Sequence, residues 1–79
     1  MKLIYTGDFE RLKEFGFEQR MTYYCLNINK EHYFIEINVY YDKSITIIIG
    51  NEYYDNYFEY EIPSVIYDLI KAGLVKKEE

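Results

Sequence analysis

Few residues in this chain have the side chains that nucleophilic or metal chemistry needs. There is one histidine, His32, one cysteine, Cys25, and two serines, Ser44 and Ser64. A Ser-His-Asp or Cys-His arrangement requires the histidine beside a nucleophile and an orienting acid. His32 follows the polar run Asn29-Lys30-Glu31, which reads as a turn, and neither serine sits in a nucleophile context. Cys25 falls in an apolar stretch with no base close in sequence. A reactive thiolate wants positive charge or a helix N-terminus nearby, so Cys25 reads as a small hydrophobe of the core.

One Cys and one His do not make a four-ligand zinc site, and the calcium-loop and glycine-rich phosphate-loop patterns are absent. The four glycines, Gly7, Gly16, Gly50 and Gly73, stand where caps and turns are expected. Acids are the one abundant reactive class. Glu36, Glu59 and Glu61 would share a sheet face if their strands pair, and a divalent ion needs such convergence. A solvated sheet face has the same pattern, and it is the reading adopted. The chain is expected to be non-enzymatic and to carry no cofactor.

The elements around these residues can be read from periodicity. Phe9, Leu12 and Phe15 recur at helical spacing over Asp8 to Phe15, with Thr6, Gly7 or Asp8 as cap and Gly16 as the left-handed stop. Phe17 should fold back onto Leu12. Strands are expected over Met21 to Ile28, Tyr33 to Tyr41 and Ile45 to Ile49. In the second, Ile35, Ile37 and Val39 alternate with Glu36 and Asn38, so one face is buried and the other partly wet. The third is apolar on both faces except at Thr46, as in a central strand or one covered on both sides. A fourth strand is expected within Tyr53 to Ile62, where Phe58, Tyr60 and Ile62 alternate with Tyr57, Glu59 and Glu61. Pro63 and Ser64 open a second helix with Val65, Ile66, Leu69 and Ile70 as its apolar stripe. Gly73 ends it, and Leu74 should pack back as Phe17 does. Lys76 to Glu79 is a charged tail expected to fray.

The order is helix, three- to four-stranded antiparallel meander, C-terminal helix: an α+β chain of one domain over residues 1–79, with the helices on one sheet face. The 79 residues include eleven tyrosines and five phenylalanines, which sets the chain apart from disordered sequences. The single cysteine excludes an internal disulfide. No apolar run reaches membrane-span length, and the first residues lack the apolar region of a signal peptide. The expected location is therefore the cytoplasm of a bacterial host cell, with no membrane partner.

The net charge of −5 is unevenly spread. Residues 1–20 and 62–79 each sum to zero, and residues 21–50 sum to −1. The remaining −4 lies in residues 51–61, with no base among them. That stretch holds Glu52, Tyr53, Tyr54, Asp55, Tyr57, Phe58, Glu59, Tyr60 and Glu61. Tyrosine is enriched at interface hot spots because it offers stiff contact area at low entropy cost. Acids beside it complement a basic partner and speed encounter. The candidate partner-binding residues are therefore Glu52, Tyr53, Tyr54, Asp55, Tyr57, Glu59, Tyr60 and Glu61. The expected partner is a protein, for instance a basic nucleic-acid-binding protein or a nuclease. Direct nucleic-acid binding is disfavoured, because phosphate neutralisation needs a basic groove and the chain has only two arginines, Arg11 and Arg20. The blander reading of the same segment is a sheet edge with a wet acidic face. Self-association into a small homo-oligomer is a further reading, since the chain has many tyrosines for one small core.

Ile, Tyr, Asn, Lys and Phe dominate over Ala and Arg, the skew of an AT-rich genome. The run Gly7-Asp8-Phe9-Glu10-Arg11-Leu12-Lys13-Glu14-Phe15-Gly16-Phe17, the tyrosine-rich strands, Glu61-Ile62-Pro63 and Leu69-Ile70-Lys71-Ala72-Gly73-Leu74-Val75 together resemble small uncharacterised phage and prophage proteins of low-GC Gram-positive bacteria. In topology and charge the chain is also similar to small anti-CRISPR proteins. The second resemblance implies a DNA-mimicking inhibitor of a Cas nuclease, and neither resemblance assigns site residues.

Overall fold

The computed structural model describes residues 2–31, 33–51 and 64–78. The chain opens with β1 (Lys2–Tyr5), followed by a 3₁₀ helix (Phe9–Phe15). Then come β2 (Glu18–Gln19), β3 (Tyr23–Asn29), β4 (Tyr33–Tyr40), β5 (Ile45–Asn51), helix α1 (Ser64–Lys71) and β6 (Val75–Glu78). β2 to β5 form a four-stranded antiparallel meander in chain order, and β1 pairs with β6 in a separate antiparallel ladder. The fold is thus α+β, with a meander sheet and a C-terminal helix.

Both helices stop in the same way. Gly16 and Gly73 take left-handed backbone at φ 92° and 77°, a region that favours glycine because it has no Cβ. Phe17 donates its N–H to the Leu12 carbonyl at 3.2 Å, and Leu74 donates to Leu69 at 2.9 Å. Gly16 donates to Lys13 and Gly73 to Ile70. These are two Schellman stops, and each brings its trailing apolar residue over the helix: Leu12, Phe17, Leu69 and Leu74 are all buried. At the first helix's start the Asp8 carboxylate accepts from the Glu10 N–H at 3.0 Å, the cap expected of a short polar side chain. The seven-residue helix is 3₁₀ rather than α throughout.

The β4–β5 connection is equally tight. Lys43 donates to the Tyr40 carbonyl and Tyr40 to the Ser44 carbonyl, both at 2.9 Å. Asp42 Oδ1 accepts from the Ser44 N–H and hydroxyl at 2.9 and 2.6 Å. These two bonds hold the Asp42 carboxyl below its usual range. Lys43 sits at φ 77°, where glycine is the usual occupant of a three-residue hairpin loop.

One face of the meander builds the core. By register, Tyr24, Val39 and Ile45 share that face with Leu26, Ile37 and Ile47, and with Ile28, Ile35 and Ile49. Leu12, Phe17, Ile66, Leu69 and Leu74 pack into the same cluster, so the helices cover this face and leave the other to different neighbours. β1 ties the parts together. Its Leu3 and Tyr5 are buried, Ile4 bridges to Ser44 at the start of β5, and the Tyr5 N–H donates to Lys43 at 2.8 Å. On its other side the Thr6 N–H donates to the Leu74 carbonyl at 2.7 Å.

Several expectations are corrected. Residues 76–78 do not fray: they pair with β1 in the register Lys2↔Glu78, Leu3↔Lys77 and Ile4↔Lys76. The backbone ladder, with Val75 buried beside Tyr5, fixes a segment whose side chains are mostly exposed. The first meander strand begins at Tyr23 instead of Met21, which is 96% exposed in a bend. Among the described residues β5 stands at the end of the four-stranded sheet. The sheet's fourth member among the described residues is the two-residue β2. The strand expected within 53–62 and Pro63, the expected first helical position, lie outside the described residues, while the helix itself runs over Ser64–Lys71. Asn38, expected on a wet face, is buried.

Candidate interaction surfaces

The eight residues singled out from sequence, Glu52, Tyr53, Tyr54, Asp55, Tyr57, Glu59, Tyr60 and Glu61, lie outside the described residues, as does His32. Ser44 is committed to the β4–β5 turn through its bond to Asp42. Ser64 is exposed at the start of α1. Cys25 is buried in β3, and burial pushes its thiol up, helped by the nearby Glu36 charge and opposed by Arg20. Among the described residues no three His, Cys, Asp or Glu side chains gather as metal ligands. Nor is any described helix long and apolar enough to cross a membrane.

Two surfaces with unusual chemistry emerge from the register. The first lies at the edge of the core. Phe9, on the 3₁₀ helix, places its ring centroid 5.2 Å from Tyr5, 6.1 Å from Tyr24 and 5.3 Å from Tyr41. Offset and edge-on ring packing of this kind adds to area burial. The Tyr5 hydroxyl donates to the Asp8 carbonyl at 2.6 Å. Burial, more than the neighbouring charges, raises its pKa. Tyr24 donates to Glu10 Oε1 at 3.3 Å, and Glu10 also pairs with Lys13 at 3.0 Å. Burial first and then the Glu10 charge push the Tyr24 phenol up. Tyr41 accepts from Gln19 Nε2 at 3.3 Å and remains substantially exposed.

The second surface is the sheet face turned away from the core. Tyr23 pairs with Tyr40, Cys25 with Asn38, and Asn27 with Glu36. Thr46 and Ile48 continue the last two rows. The Tyr23 and Tyr40 rings lie 5.4 Å apart, tilted by 39°. Asn27 Nδ2 contacts Cys25 Sγ at 3.6 Å, and Asn38 Nδ2 donates to Glu36 Oε2 at 2.9 Å. Further along, Phe34 lies over Gly50, where a Cβ would come 2.6 Å from Phe34 Cζ. Gly50 thus gives the ring its seat, while 40% of Phe34 stays exposed.

The charge run points away from this face. Its period-two signal lies in Tyr23-Cys25-Asn27 against Glu36-Asn38-Tyr40, but alternation alone makes Glu36 and Asn38 the partly wet side of a strand. Only the strand pairing shows them stacked beside one another. No protein-family model, curated protein or solved structure matches the chain.

Proposed function

We propose that the chain is a non-enzymatic protein-binding module of phage origin that blocks a nucleic-acid-handling protein, a host defence nuclease above all. One observation carries this reading. Residues 51–61 concentrate four acids and five aromatic side chains with no base, in a chain otherwise near charge balance. That combination suits a surface which competes for a cationic channel: the acids steer the encounter and the tyrosines supply contact area. The buried, raised thiol of Cys25 also supports a binding role over nucleophilic chemistry.

The test is a DNA-cleavage assay with an RNA-guided nuclease, run with the chain and with a variant carrying E52Q, D55N, E59Q and E61Q. Inhibition that disappears in the variant supports the proposal. No inhibition, or inhibition indifferent to the four changes, overturns it.

A second reading, a small homo-oligomer with a structural or assembly role, has its own observation. Tyr67 and Ile70, three apart on the outer face of α1, are 51% and 43% exposed. Light scattering after size exclusion decides it: a strict monomer at high micromolar concentration excludes self-assembly through that face.

A further inference from the structure

We infer that the sheet face opposite the core binds an arginine-bearing segment of a partner protein, with Glu36 and Asn38 as polar contacts and the Tyr23–Tyr40 ring pair as stacking surface. The residues of this surface are other than 51–61, and the inference rests on the binding-module reading only in its class.

The central observation is Asn38. Its side chain is 4% exposed and directly opposite Cys25 in the register. Nδ2 is bonded to Glu36, yet Oδ1 is buried with no donor. An unsatisfied buried acceptor is costly, and such groups are few in native structures. Next to it, Glu36 is half-buried and, among the described residues, its polar contact is the Asn38 amide rather than a cation. Glu18, across β3 on the same face, is by contrast paired with Arg20 at 3.1 Å. Among the described residues the face therefore offers a carboxylate with no cation against it and a spare amide oxygen, with the Tyr23–Tyr40 ring pair one row beyond Asn38.

The ligand chemistry follows from that set. A guanidinium is a flat cation with several N–H donors, and it both pairs with carboxylates and stacks on aromatic faces. An ammonium matches the charge but not the fork. Phosphates and carboxylates are repelled by Glu36. A second copy of the chain would bring another acid to the same place. The Glu36 carboxylate accepts from the Asn38 amide, so a guanidinium that engages Glu36 is brought next to the Asn38 side chain. Phe34 and Ile48 border the polar row with apolar surface for the rest of the segment.

The experiment is an NMR titration of the full chain with a blocked peptide of alternating arginine and isoleucine. The same peptide with citrulline, the neutral isostere, in place of arginine serves as control. The expected result is movement of the Asn38 side-chain amide and the Tyr23 and Tyr40 ring signals. Affinity should drop about tenfold or more with citrulline or in E36Q, the scale of a lost charge-assisted hydrogen bond. It should be nearly unchanged in E14Q, a control glutamate exposed on the 3₁₀ helix. Equal weakening in E36Q and E14Q, equal binding of the citrulline peptide, or shifts confined to other surfaces would overturn the inference. So would self-association through this face that the peptide leaves intact. Persistence of the Asn38 shifts when Glu52, Asp55, Glu59 and Glu61 are neutralised separates this surface from the 51–61 reading, which the nuclease assay tests alone.

Discussion

Leu74 packs so closely against Gly7 that a methyl group on Gly7 would overlap the end of the Leu74 side chain, with Leu74 Cγ only 3.3 Å away. Leu74 is buried in the core, so it has little room to retreat. G7A is expected to destabilise the protein by about 1–3 kcal/mol, the usual cost of overpacking. Urea denaturation measures it, and the double variant G7A/L74V should recover part of the loss by trimming the clashing side chain.

The two helix stops allow a cleaner measurement of backbone cost. A Cβ on Gly73 would meet nothing within 4 Å, and one on Gly16 would meet only Leu26 at 3.5 Å. Sterically both alanine variants fit. G16A and G73A should each still cost about 1–2 kcal/mol, because alanine is forced into left-handed backbone. Asparagine at either position should cost less. Equal melting temperatures for G73A and the parent protein would contradict the left-handed stop.

Lys43 points the other way. It occupies left-handed backbone in the β4–β5 loop without glycine's freedom. K43G is expected to gain up to about 1 kcal/mol by relieving that strain, offset in part by the greater entropy of the unfolded chain. A thermal melt against the parent protein reads the sign directly.

High pH should weaken the fold through its phenols. Tyr5 and Tyr24 have raised pKa values in the folded state. Their neutral forms therefore favour folding fully below the unfolded tyrosine pKa, about 10. Above it the unfolded chain releases its protons first, and this contribution to stability is lost as pH rises through the folded values. Urea midpoints should decline across that window, more shallowly in Y5F and Y24F. The Cys25 thiol, also raised by burial, should resist a thiol reagent in the native protein and react once urea unfolds it.

Removing residues 76–79 should destabilise the protein, by about 1 kcal/mol for each ladder hydrogen bond lost. Hydrogen exchange provides the companion measurement. Amides that bond across the β1–β6 ladder should be protected, whereas a frayed tail would exchange at the unprotected rate.

Much of this architecture was legible from local signals that do not depend on distant partners. Asp8 as cap, Gly16 and Gly73 as stops and the apolar alternation of Ile35, Ile37 and Val39 all act within a few residues. The β1–β6 ladder was not, because its decisive contact joins residues more than seventy positions apart. Strands of four residues are also too short to declare a period, and Lys76-Lys77-Glu78 has the composition of a solvated tail. The burial of Asn38 escapes the sequence for a related reason. Alternation assigns it to the face opposite Val39 but cannot tell that Cys25, Glu36 and Tyr40 crowd it there. For the candidate surface, the sequence directed attention to 51–61 through net charge, while the acceptor row on the outer sheet face became visible only with the strand register.

The pairing of β1 with β6 has a practical consequence for engineering. Lys2 and Glu78 lie across from each other, and their side chains form an ion pair at 3.5 Å. A short loop could therefore join the two strands as a hairpin, and new termini could be opened at the exposed Lys30-Glu31 connection between β3 and β4. Such a circular permutant would keep the core pairings while moving any fused tag to the other side of the connection map. Fusions joined at Lys2 and Glu78, by contrast, would both emerge from the same small region of the surface.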